Sequence, residues 1–496
     1  MQTTLPPSQK PNLIGGHFRK FRQDPTGFLT AQAALGDVSF FRMGSQKGFF
    51  LNHPDLVRDL FVVNAHKFMK GRALQRAKNL LGEGLLTSEG EFHLRQRRMI
   101  QPAFHRARIA DYATLMVEFA EKMSASWTDG AVRDIDKEMM HLTLQIVGKT
   151  LFNAHVEDDA DAVGKAMTTV SKLFDFLLLP YSEWLQKLPL PQTRRFQQAR
   201  STLNKVIYGI IEDRRRSGED PGDLLSMLLN ARDEDDGGVM TDEQIRDEAL
   251  TLFLAGHETT SNALTFTWYL LAKNPDKAEK LHRELDAVLG RNPTGSEGDP
   301  NADRGMRNAE SNEAETRPVG TVQSQDDGAE SNPRSKIQNP KLPCIEDVPN
   351  LRYTEAVLAE SMRLYPPAWA IGRLALEDHR FGKYEIPARS LVLVSPYVTQ
   401  RDPRFWDNPD EFIPERWETH SVKEASQKNI YFPFGGGIRR CIGEGFAWTE
   451  GILLLATLAK AWKLSLVPEH KLGLQPLITL RPKYGMRMRI EKRVRE

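Results

Sequence analysis

A cysteine behind a glycine-rich turn is the most reactive group that the sequence offers. Cys441 follows three glycines, Gly435 to Gly437, and precedes an apolar segment of helical periodicity that begins near Gly443. Glycine lets the backbone approach a flat ligand closely. A helix amino terminus favours a thiolate, and Arg439 adds positive charge. We therefore expect Cys441 to have a lowered pKa and to act as an anionic ligand or nucleophile. The alternative is a small buried hydrophobic side chain.

Charged residues at helical spacing form a second candidate group. Glu360 and Arg363 lie on one predicted helix that ends at Pro366, and Arg416 follows in the segment PERW. A solvent-exposed Glu–Arg pair of this kind stabilises a helix by only about 0.2–0.5 kcal/mol. From the residues alone, it is an ordinary surface ion pair.

The segment SEGEFHLRQRR holds a third group. Ser88 and Glu91 have the spacing of a capping box, which predicts that a helix begins there. His93 and Arg97 then lie one turn apart on the same helical face. A histidine near a helix start is most often solvated or part of a cap, so by itself it indicates no ligand.

The residues around the cysteine form a specific pattern. Phe434, Gly437, Arg439, Cys441 and Gly443 fill the spacing F-x-x-G-x-R-x-C-x-G. In this motif the chain resembles the cytochrome P-450 family of haem-thiolate monooxygenases. The resemblance implies that Cys441 is the axial metal ligand of haem b and that Phe434, Arg439 and Gly443 contact the cofactor. It also implies the family's fold, which is mainly α with small β-sheets, in a single large domain with a long central helix.

The segment AGHETT matches the oxygen-binding signature of the same family. The resemblance implies that Ala255 and Gly256 border the haem where O2 binds, and that Glu258 and Thr259 are the catalytic residues. Gly256 carries no side chain, and the Thr259 hydroxyl can bond to the Ala255 carbonyl and locally widen the helix. Glu258 would relay protons from solvent. His257 has no second histidine at metal-binding spacing, so we expect no metal role for it.

The resemblance also assigns a role to the two charged groups. His93 and Arg97, together with Arg439 and Arg373, are expected to bind the two carboxylates of the haem. Many relatives have tryptophan in place of His93, and both side chains can donate a hydrogen bond. The Glu-x-x-Arg pair and the arginine of PERW are expected to form a buried network that fixes the architecture on the cysteine side.

These residues must be positioned mostly by helices. A capping box at Thr241 and Gln244 predicts the start of the longest helix, and Asn274-Pro275 predicts its end. About 33 residues give a rod of roughly 50 Å. Its middle, LFLAGHETTSNAL, has a polar centre between apolar flanks, which favours a buried helix over a membrane span or an amphipathic surface helix.

Strands are predicted in two places. Residues 38–43 and 48–51 have the composition of short strands around a turn at 44–47. Residues 384–398 are predicted to form another strand pair, with Pro387 in its turn. Helices therefore outweigh a small sheet.

One stretch departs from the composition of the rest. Residues 291–340 contain no aromatic residue and are rich in Gly, Pro, Ser, Asn and Glu. Such a segment cannot bury enough apolar surface to offset the entropy of ordering it. We interpret it as a disordered surface insertion within one domain that spans residues 1–496. Cys344, just after it, has no partner cysteine, and we expect it to pack in the core.

The overall composition excludes several classes of protein. Lys and Arg number 67 against 66 Asp and Glu, which argues against a nucleic-acid-binding chain. Hydrophobic residues make up 40% and charged residues 27%, as in globular proteins. Two cysteines exclude a disulfide framework and indicate a reducing compartment. The first residues contain no signal peptide or transmembrane anchor, so we expect a soluble, cytoplasmic monomer.

The resemblance implies the reaction R–H + O2 + 2e⁻ + 2H⁺ → R–OH + H2O. A thiolate ligand favours cleavage of the O–O bond. Because the matched motifs leave no room for a flavin or iron–sulfur domain, electrons should come from NAD(P)H through a reductase and a separate ferredoxin or flavodoxin. A basic face is expected to attract that partner; its residues are Arg95, Arg97, Arg98, Arg106, Arg108 and Arg440.

The substrate should be a small hydrophobic molecule such as a fatty acid, terpenoid or polyketide. Its predicted pocket walls are residues 173–188, Phe253, Ala255, residues 368–371 and Leu477-Ile478.

Three alternatives remain. An enzyme that isomerises or dehydrates peroxides uses the same cofactor without external electrons, although the Glu258–Thr259 pair argues against it. A non-catalytic haem sensor would be expected to carry a fused output domain. A helical scaffold with coincidental motifs would bind no haem at all.

Overall fold

Helices dominate the structure, as the sequence predicts. A computed structural model describes residues 5–153, 166, 169, 188, 190–233, 237–290 and 341–493. The described helices are α1 Phe18–Gln23, α2 Pro25–Ala33, α3 Pro54–Arg58, α4 Arg72–Leu81, α5 Gly90–Ile100, α6 Arg106–Ser126, α7 Ile135–Phe152, α8 Pro191–Ser217, α9 Leu224–Asn230, α10 Asp242–Lys273, α11 Pro275–Leu289, α12 Arg352–Leu364, α13 Pro396–Thr399, α14 Arg416–Thr419, α15 Val422–Gln427 and α16 Glu444–Ala461.

The strands form small sheets. They are β1 Val38–Met43, β2 Gln46–Leu51, β3 Phe68–Lys70, β4 Val132–Asp134, β5 Ile371–Ala375, β6 His379–Phe381, β7 Tyr384–Ile386, β8 Leu391–Val394, β9 Trp462–Leu466, β10 Leu474–Pro476, β11 Leu480–Pro482 and β12 Arg487–Lys492. The largest sheet has the order β1-β2-β8-β5-β3, in which β2 and β8 are parallel and the other pairs are antiparallel. A second sheet has the order β4-β12-β9, and β6–β7 and β10–β11 form two-stranded pairs.

Helix α10 is the predicted central helix. The predicted capping box is present: the Thr241 hydroxyl accepts from the Gln244 N–H, and the Gln244 side chain accepts from the Thr241 N–H at 2.8 Å. Asn274 ends the helix and Pro275 begins α11. Most of α10 is buried, and it packs against α7, α12 and α16 in the largest hydrophobic core.

The predicted strand pair within residues 384–398 is wrong. Tyr384–Ile386 pairs with His379–Phe381, whereas Leu391–Val394 joins the largest sheet between β2 and β5. Residues 391–394 read LVLV and are largely buried, a pattern that suits an interior strand covered on both faces better than one arm of a hairpin.

The capping box predicted at Ser88 and Glu91 is also wrong. Helix α5 begins at Gly90, with Glu89 as the residue before it. The Ser88 hydroxyl instead lies 3.3 Å from Nδ1 of His93. A hydroxyl bonded to that ring does not cap the first turn.

Two expectations concern features that the structure does not test. The predicted insertion, residues 291–340, lies outside the described residues, and the single domain of residues 1–496 stays a prediction. Among the described residues, no helix combines the length and apolar composition that crossing a bilayer requires.

Candidate haem site

The turn that carries Cys441 is pressed against Phe61. A β-carbon at Gly437, whose φ is +64°, would lie 1.7 Å from the Phe61 carbonyl oxygen, and one at Gly436 would lie 2.9 Å from its ring. Only glycine fits both positions. The Cys441 N–H donates to the Phe434 carbonyl at 2.9 Å, which closes the turn. The thiol then stands three residues before α16, and Cys441 is exposed.

The pKa of the Cys441 thiol is raised, contrary to the sequence-based expectation. Desolvation by the surrounding protein raises this pKa to about 11. The Gly443 N–H and the charges of Arg97 and Arg440 act in the opposite direction but are weaker than the desolvation. Although Cys441 is exposed, enough protein surrounds its sulfur to desolvate the thiolate, and the prediction counted the helix terminus and Arg439 but not this desolvation. Arg439 pairs with Glu89.

A cluster of cations lies beside the cysteine turn. Arg439 donates to Glu89 at 2.5 Å, and Lys70 on β3 lies opposite Arg373 on β5. Arg97 donates to the Arg440 carbonyl at 2.8 Å. We call Lys70, Arg97, Arg373 and Arg439 the cation cluster. Two carboxyl groups lie near these four cations: Glu89, and Glu248, whose pKa burial raises to about 8. The cations outnumber the carboxylates, so the cluster carries a net positive charge.

Burial makes this excess charge costly. Desolvation lowers the pKa of Lys70 to about 7; Arg439 and Arg373 lower it further, while Glu89 opposes them. The pKa of Arg373 falls to about 10, again mainly because the group is desolvated. Lys70 was missed by the sequence analysis, since only the pairing of β3 with β5 brings it to the cluster.

His93 is buried and neutral. Its Nδ1 lies 3.3 Å from the Lys70 ammonium, which can only donate, so this nitrogen accepts and the ring proton is on Nε2. Desolvation and then the charge of Lys70 lower the pKa of His93 to about 3. Among the described residues, Nε2 of His93 and Nε of Arg439 have no hydrogen-bond partner. Both are donors beside the cation cluster.

These residues fit a haem. A thiol is accessible at the end of a turn that glycines hold flat, and excess positive charge with two unused donors suits the two propionates. His93, Arg97, Arg373, Arg439 and Cys441 are therefore brought to one region, as the sequence analysis expected. The four propionate-binding roles and the ligand role remain proposals.

The polar centre of α10 is the second part of the candidate haem site. Ala255 is exposed although the residues around it on α10 are largely buried. A β-carbon at Gly256 would lie 3.0 Å from Val147, so this glycine allows close packing on α7. The Thr259 hydroxyl donates to the Ala255 carbonyl at 2.7 Å, as predicted. The predicted local widening is absent, because α10 stays α-helical from end to end.

Glu258 is bound by side chains at β11. Its side chain is 1% exposed and accepts from Arg481 at 2.8 Å and from the Thr479 hydroxyl. Arg481 lies on β11 and Thr479 directly precedes it. Glu258 therefore forms an ion pair with the β11 arginine. Asp136 lies near the same group, and burial raises its pKa to about 6.

Glu450 on α16 is a buried carboxyl group that the sequence analysis missed. It is fully buried, and the neighbouring hydroxyl that bears on its carboxyl group is that of Thr260. Desolvation raises the pKa of Glu450 to about 8, against a smaller opposing effect of Thr260, whose hydroxyl bonds to the Gly256 carbonyl at 3.3 Å. The only signal in the sequence is an acidic residue next to the apolar run ILLLATLA.

The predicted Glu360 network is present. Glu360 and Arg363 are both fully buried and share two hydrogen bonds of 2.9 Å. Arg416 donates to Glu360 at 2.9 Å and Trp417 at 3.0 Å. Arg363 also donates to the carbonyls of Gln400, Pro409 and Glu411. The network therefore fixes the chain that leads to the cysteine turn, and the surface-pair reading is wrong.

Other expectations are only partly met. Arg95 and Arg98 both lie 3.4 Å from Asp233, and Arg440 pairs with Glu444, so the predicted basic face is partly neutralised. Residues 173–187 of the predicted pocket lie outside the described residues. Phe253 is 3% exposed and packs against the rings of Phe152 and His257. Its role as a pocket wall stays a prediction.

Cys344 is likewise not a core residue. Its N–H and its sulfur contact Asp347 at 3.0 and 3.1 Å, where it caps the 3₁₀ turn Ile345–Asn350. A half-buried cap of this kind needs no apolar surroundings.

Comparison with known proteins confirms the family. A model of the cytochrome P450 family matches residues 6–299 and 332–486. Cyclooctatin synthase of Streptomyces melanosporofaciens is 36% identical over 470 residues, which are 94% of this chain and 91% of the relative. Cyclooctat-9-en-7-ol 5-monooxygenase of the same organism is 32% identical, over 91% of this chain and 88% of the relative. Pentalenene oxygenase of Streptomyces avermitilis is 30% identical, over 97% and 96%. The chain belongs to the cytochrome P450 family, and it is a haem-thiolate monooxygenase.

Proposed function

We propose that this monooxygenase hydroxylates or epoxidises a cyclic terpenoid, with Cys441 as the axial ligand of haem b. The observation that carries the site assignment is the accessible Cys441 thiol beside a cation cluster with a net positive charge. The relatives are named for cyclooctat-9-en-7-ol and pentalenene, which supports a carbocyclic substrate. When bound, the haem supplies oxygen activation and electron transfer.

The residues of this chain would bind the haem and orient the groups that react on it. Arg97, Arg373, Arg439 and Nε2 of His93 would hold the two propionates by charge-assisted hydrogen bonds. The Lys70 ammonium already donates to the carbonyls of Leu85 and Ser88 and lies 3.3 Å from Nδ1 of His93, so it would contribute positive charge and not a direct bond. The small, exposed side chain of Ala255 would leave room for the haem and O2, whereas Gly256 allows α10 to pack closely on Val147 of α7. Because Thr259 gives its hydroxyl proton to the Ala255 carbonyl, its oxygen is left to accept a hydrogen bond in that space.

Glu258 is proposed as the proton relay. Glu258 directly precedes Thr259 on α10 and pairs with Arg481 at 2.8 Å. The ion pair would fix the position of this carboxylate, as general acid–base catalysis requires.

We also propose that electrons come from NAD(P)H through a reductase and a separate ferredoxin or flavodoxin. Arg97 and the exposed Arg106 are the cations of the predicted basic face that no carboxylate pairs with in the described contacts. The face for an acidic partner is therefore smaller than the sequence suggests. We further propose a cytoplasmic monomer with a surface insertion at residues 291–340; the family match, which omits 300–331, supports the insertion.

Two measurements test this function. The reduced wild-type protein should give the red-shifted carbon monoxide band of a thiolate-ligated haem, and Cys441→Ser should lose it; a normal band in that variant rejects the ligand. Cyclic terpenes should then induce a spin-state change at lower concentration than fatty acids of similar size. The reverse order rejects the substrate class.

Turnover separates the enzyme from its nearest alternative. Product formation should require a reductase–ferredoxin couple. One molecule of O2 should be consumed for each molecule of product. If hydroperoxides are instead isomerised without electrons, the monooxygenase proposal for this substrate is wrong.

A further inference from the structure

A turn near the beginning of the described chain presents two large aliphatic side chains to solvent. Leu13 is 101% exposed and Ile14 is 90% exposed. No other large hydrophobic side chain among the described residues is as exposed as either of them. Adjacent exposed aliphatic side chains are unfavourable in water unless something covers them. We call Leu13 and Ile14 the apolar tip.

The exposure of the apolar tip does not come from a frayed chain. The Asn12 N–H donates to the Gly16 carbonyl at 2.9 Å, which closes the turn. His17 is 1% exposed; its N–H donates to the Arg42 carbonyl, and its Nε2 lies 2.9 Å from the Gln9 carbonyl. Both ends of the turn are therefore tied to the body of the protein, and the tip is held outward.

Positive charge surrounds the tip. Residues 5–23 and 38–51 contain six Lys or Arg residues and no Asp or Glu, in a chain whose net charge is only +1. The six are Lys10, Arg19, Lys20, Arg22, Arg42 and Lys47. Arg42 and Lys47 face each other across β1 and β2, and the bridge between Gly16 and Met43 places the turn beside them. The first carboxylate that follows, Asp24, caps α2.

We propose that the apolar tip and these six cations form a docking surface for a phospholipid bilayer that contains anionic lipids. Aliphatic side chains would enter the headgroup region while the surrounding cations contact phosphates. Peripheral binding needs two signals of this kind, an apolar insertion and a basic patch. No membrane-spanning helix is required.

The other possible occupants fit the surface less well. A second copy of the chain would place one set of six cations against another in a symmetric dimer, which is repulsive. An acidic protein would satisfy the cations but would not need two protruding aliphatic side chains at their centre. A bilayer meets both requirements at once.

The docking surface is also close to the predicted substrate pocket. Phe21 on α1, which follows the turn, stacks on Trp369 at 6.4 Å between ring centroids. The Trp369 indole donates to the Leu477 carbonyl at 3.0 Å. Trp369 and Leu477 both belong to predicted walls of the substrate pocket. The docking surface is therefore connected by direct contacts to residues of the predicted pocket, and that consequence alone rests on the proposed function.

Vesicle sedimentation with the purified, haem-loaded protein tests the docking. We expect binding to vesicles of phosphatidylcholine and phosphatidylglycerol in equal parts, and little binding to phosphatidylcholine alone. Leu13→Ser/Ile14→Ser and Arg19→Gln/Lys47→Gln should each lower the partition coefficient by about tenfold or more.

Matched variants elsewhere control for apolar area and charge. Val239→Ser/Leu376→Ser removes two aliphatic side chains that are each 54% exposed, and Lys423→Gln/Lys428→Gln removes two exposed cations. Both should bind like the wild type. The haem absorption spectrum of each variant checks folding without depending on any substrate.

Several results would overturn the proposal. Absence of binding to both kinds of vesicle would do so, as would binding that is unchanged in Leu13→Ser/Ile14→Ser. A wild-type dimer that this variant converts to a monomer in sedimentation velocity would assign the tip to a second copy. These outcomes do not bear on the monooxygenase activity, which is measured separately in detergent-free solution.

Discussion

Glu450 provides a quantitative test of the electrostatics behind the cysteine turn. Its carboxyl group is fully buried on α16, and burial raises its pKa from the usual 4.5 to about 8. The folded protein therefore holds a proton on Glu450 at neutral pH, whereas the unfolded chain does not. Glu450→Gln keeps the shape of the side chain and removes the titration.

The sign follows from proton binding. Between the unfolded and folded pKa values, the folded state binds one more proton, so the free energy of unfolding falls as pH rises. The stability is complete below the unfolded pKa and is lost as pH rises towards the folded pKa. One pKa unit corresponds to about 1.4 kcal/mol, so from about pH 5 to about pH 7.5 the loss due to Glu450 is about 3 kcal/mol.

Urea unfolding of the wild type and Glu450→Gln at several pH values measures this loss. The stability of the variant relative to the wild type should increase by about 3 kcal/mol over that interval. Glu424→Gln, at an exposed position on α15, is the control and should show no such change. Taking differences at each pH cancels the titration of the other carboxyl groups. A constant difference across the interval would mean that Glu450 is ionised in the folded protein, and the assignment would fail. Infrared spectra should independently show a protonated carboxyl band at neutral pH that Glu450→Gln lacks.

Three further substitutions test the site. Thr259→Ala should keep haem but release more reducing equivalents as hydrogen peroxide, because the hydroxyl that bonds to Ala255 is lost; Thr259→Ser should restore coupling, and equal peroxide yields in all three proteins would exclude Thr259 from proton delivery. Lys70→Met should increase the rate of haem transfer to apomyoglobin by about tenfold or more, while Lys67→Met should not; equal rates would place Lys70 outside the propionate site. Glu360→Gln should lower the free energy of unfolding by about 3–5 kcal/mol, since it disrupts a fully buried ion pair; a loss below about 1 kcal/mol in urea unfolding would contradict this.

The sequence predicts the chemistry of this site better than its electrostatics. Cys441 and Thr259 could be proposed from the sequence because residue type and spacing are what their predicted roles require, and those roles stay predictions. Lys70 could not, since its place in the cation cluster depends on the pairing of β3 with β5, which are distant in the chain. The pKa of Cys441 was predicted in the wrong direction because a helix terminus is visible in a sequence, whereas desolvation by residues distant in the chain is not.

Secondary structure shows the same division. The long helix α10 was predicted almost to the residue, since its capping box and the proline after it are local signals. The strands within residues 384–398 were assigned to each other, whereas each pairs with a different partner. Adjacent strands often form hairpins, and only tertiary packing decides when they do not.

The two groups of cations differ in what burial does to them. In the cation cluster, desolvation lowers the pKa of Lys70 to about 7, so the protein alone is poorly suited to hold all four charges. Two carboxylates beside the cluster would reverse this, because they favour the charged form of the lysine. Binding of the haem propionates and protonation of Lys70 must then promote each other by the same free energy. The six cations around Leu13 and Ile14 are largely hydrated and face no such cost. They should therefore attract an anionic surface reversibly, whereas the buried cluster should hold its anions as part of the fold.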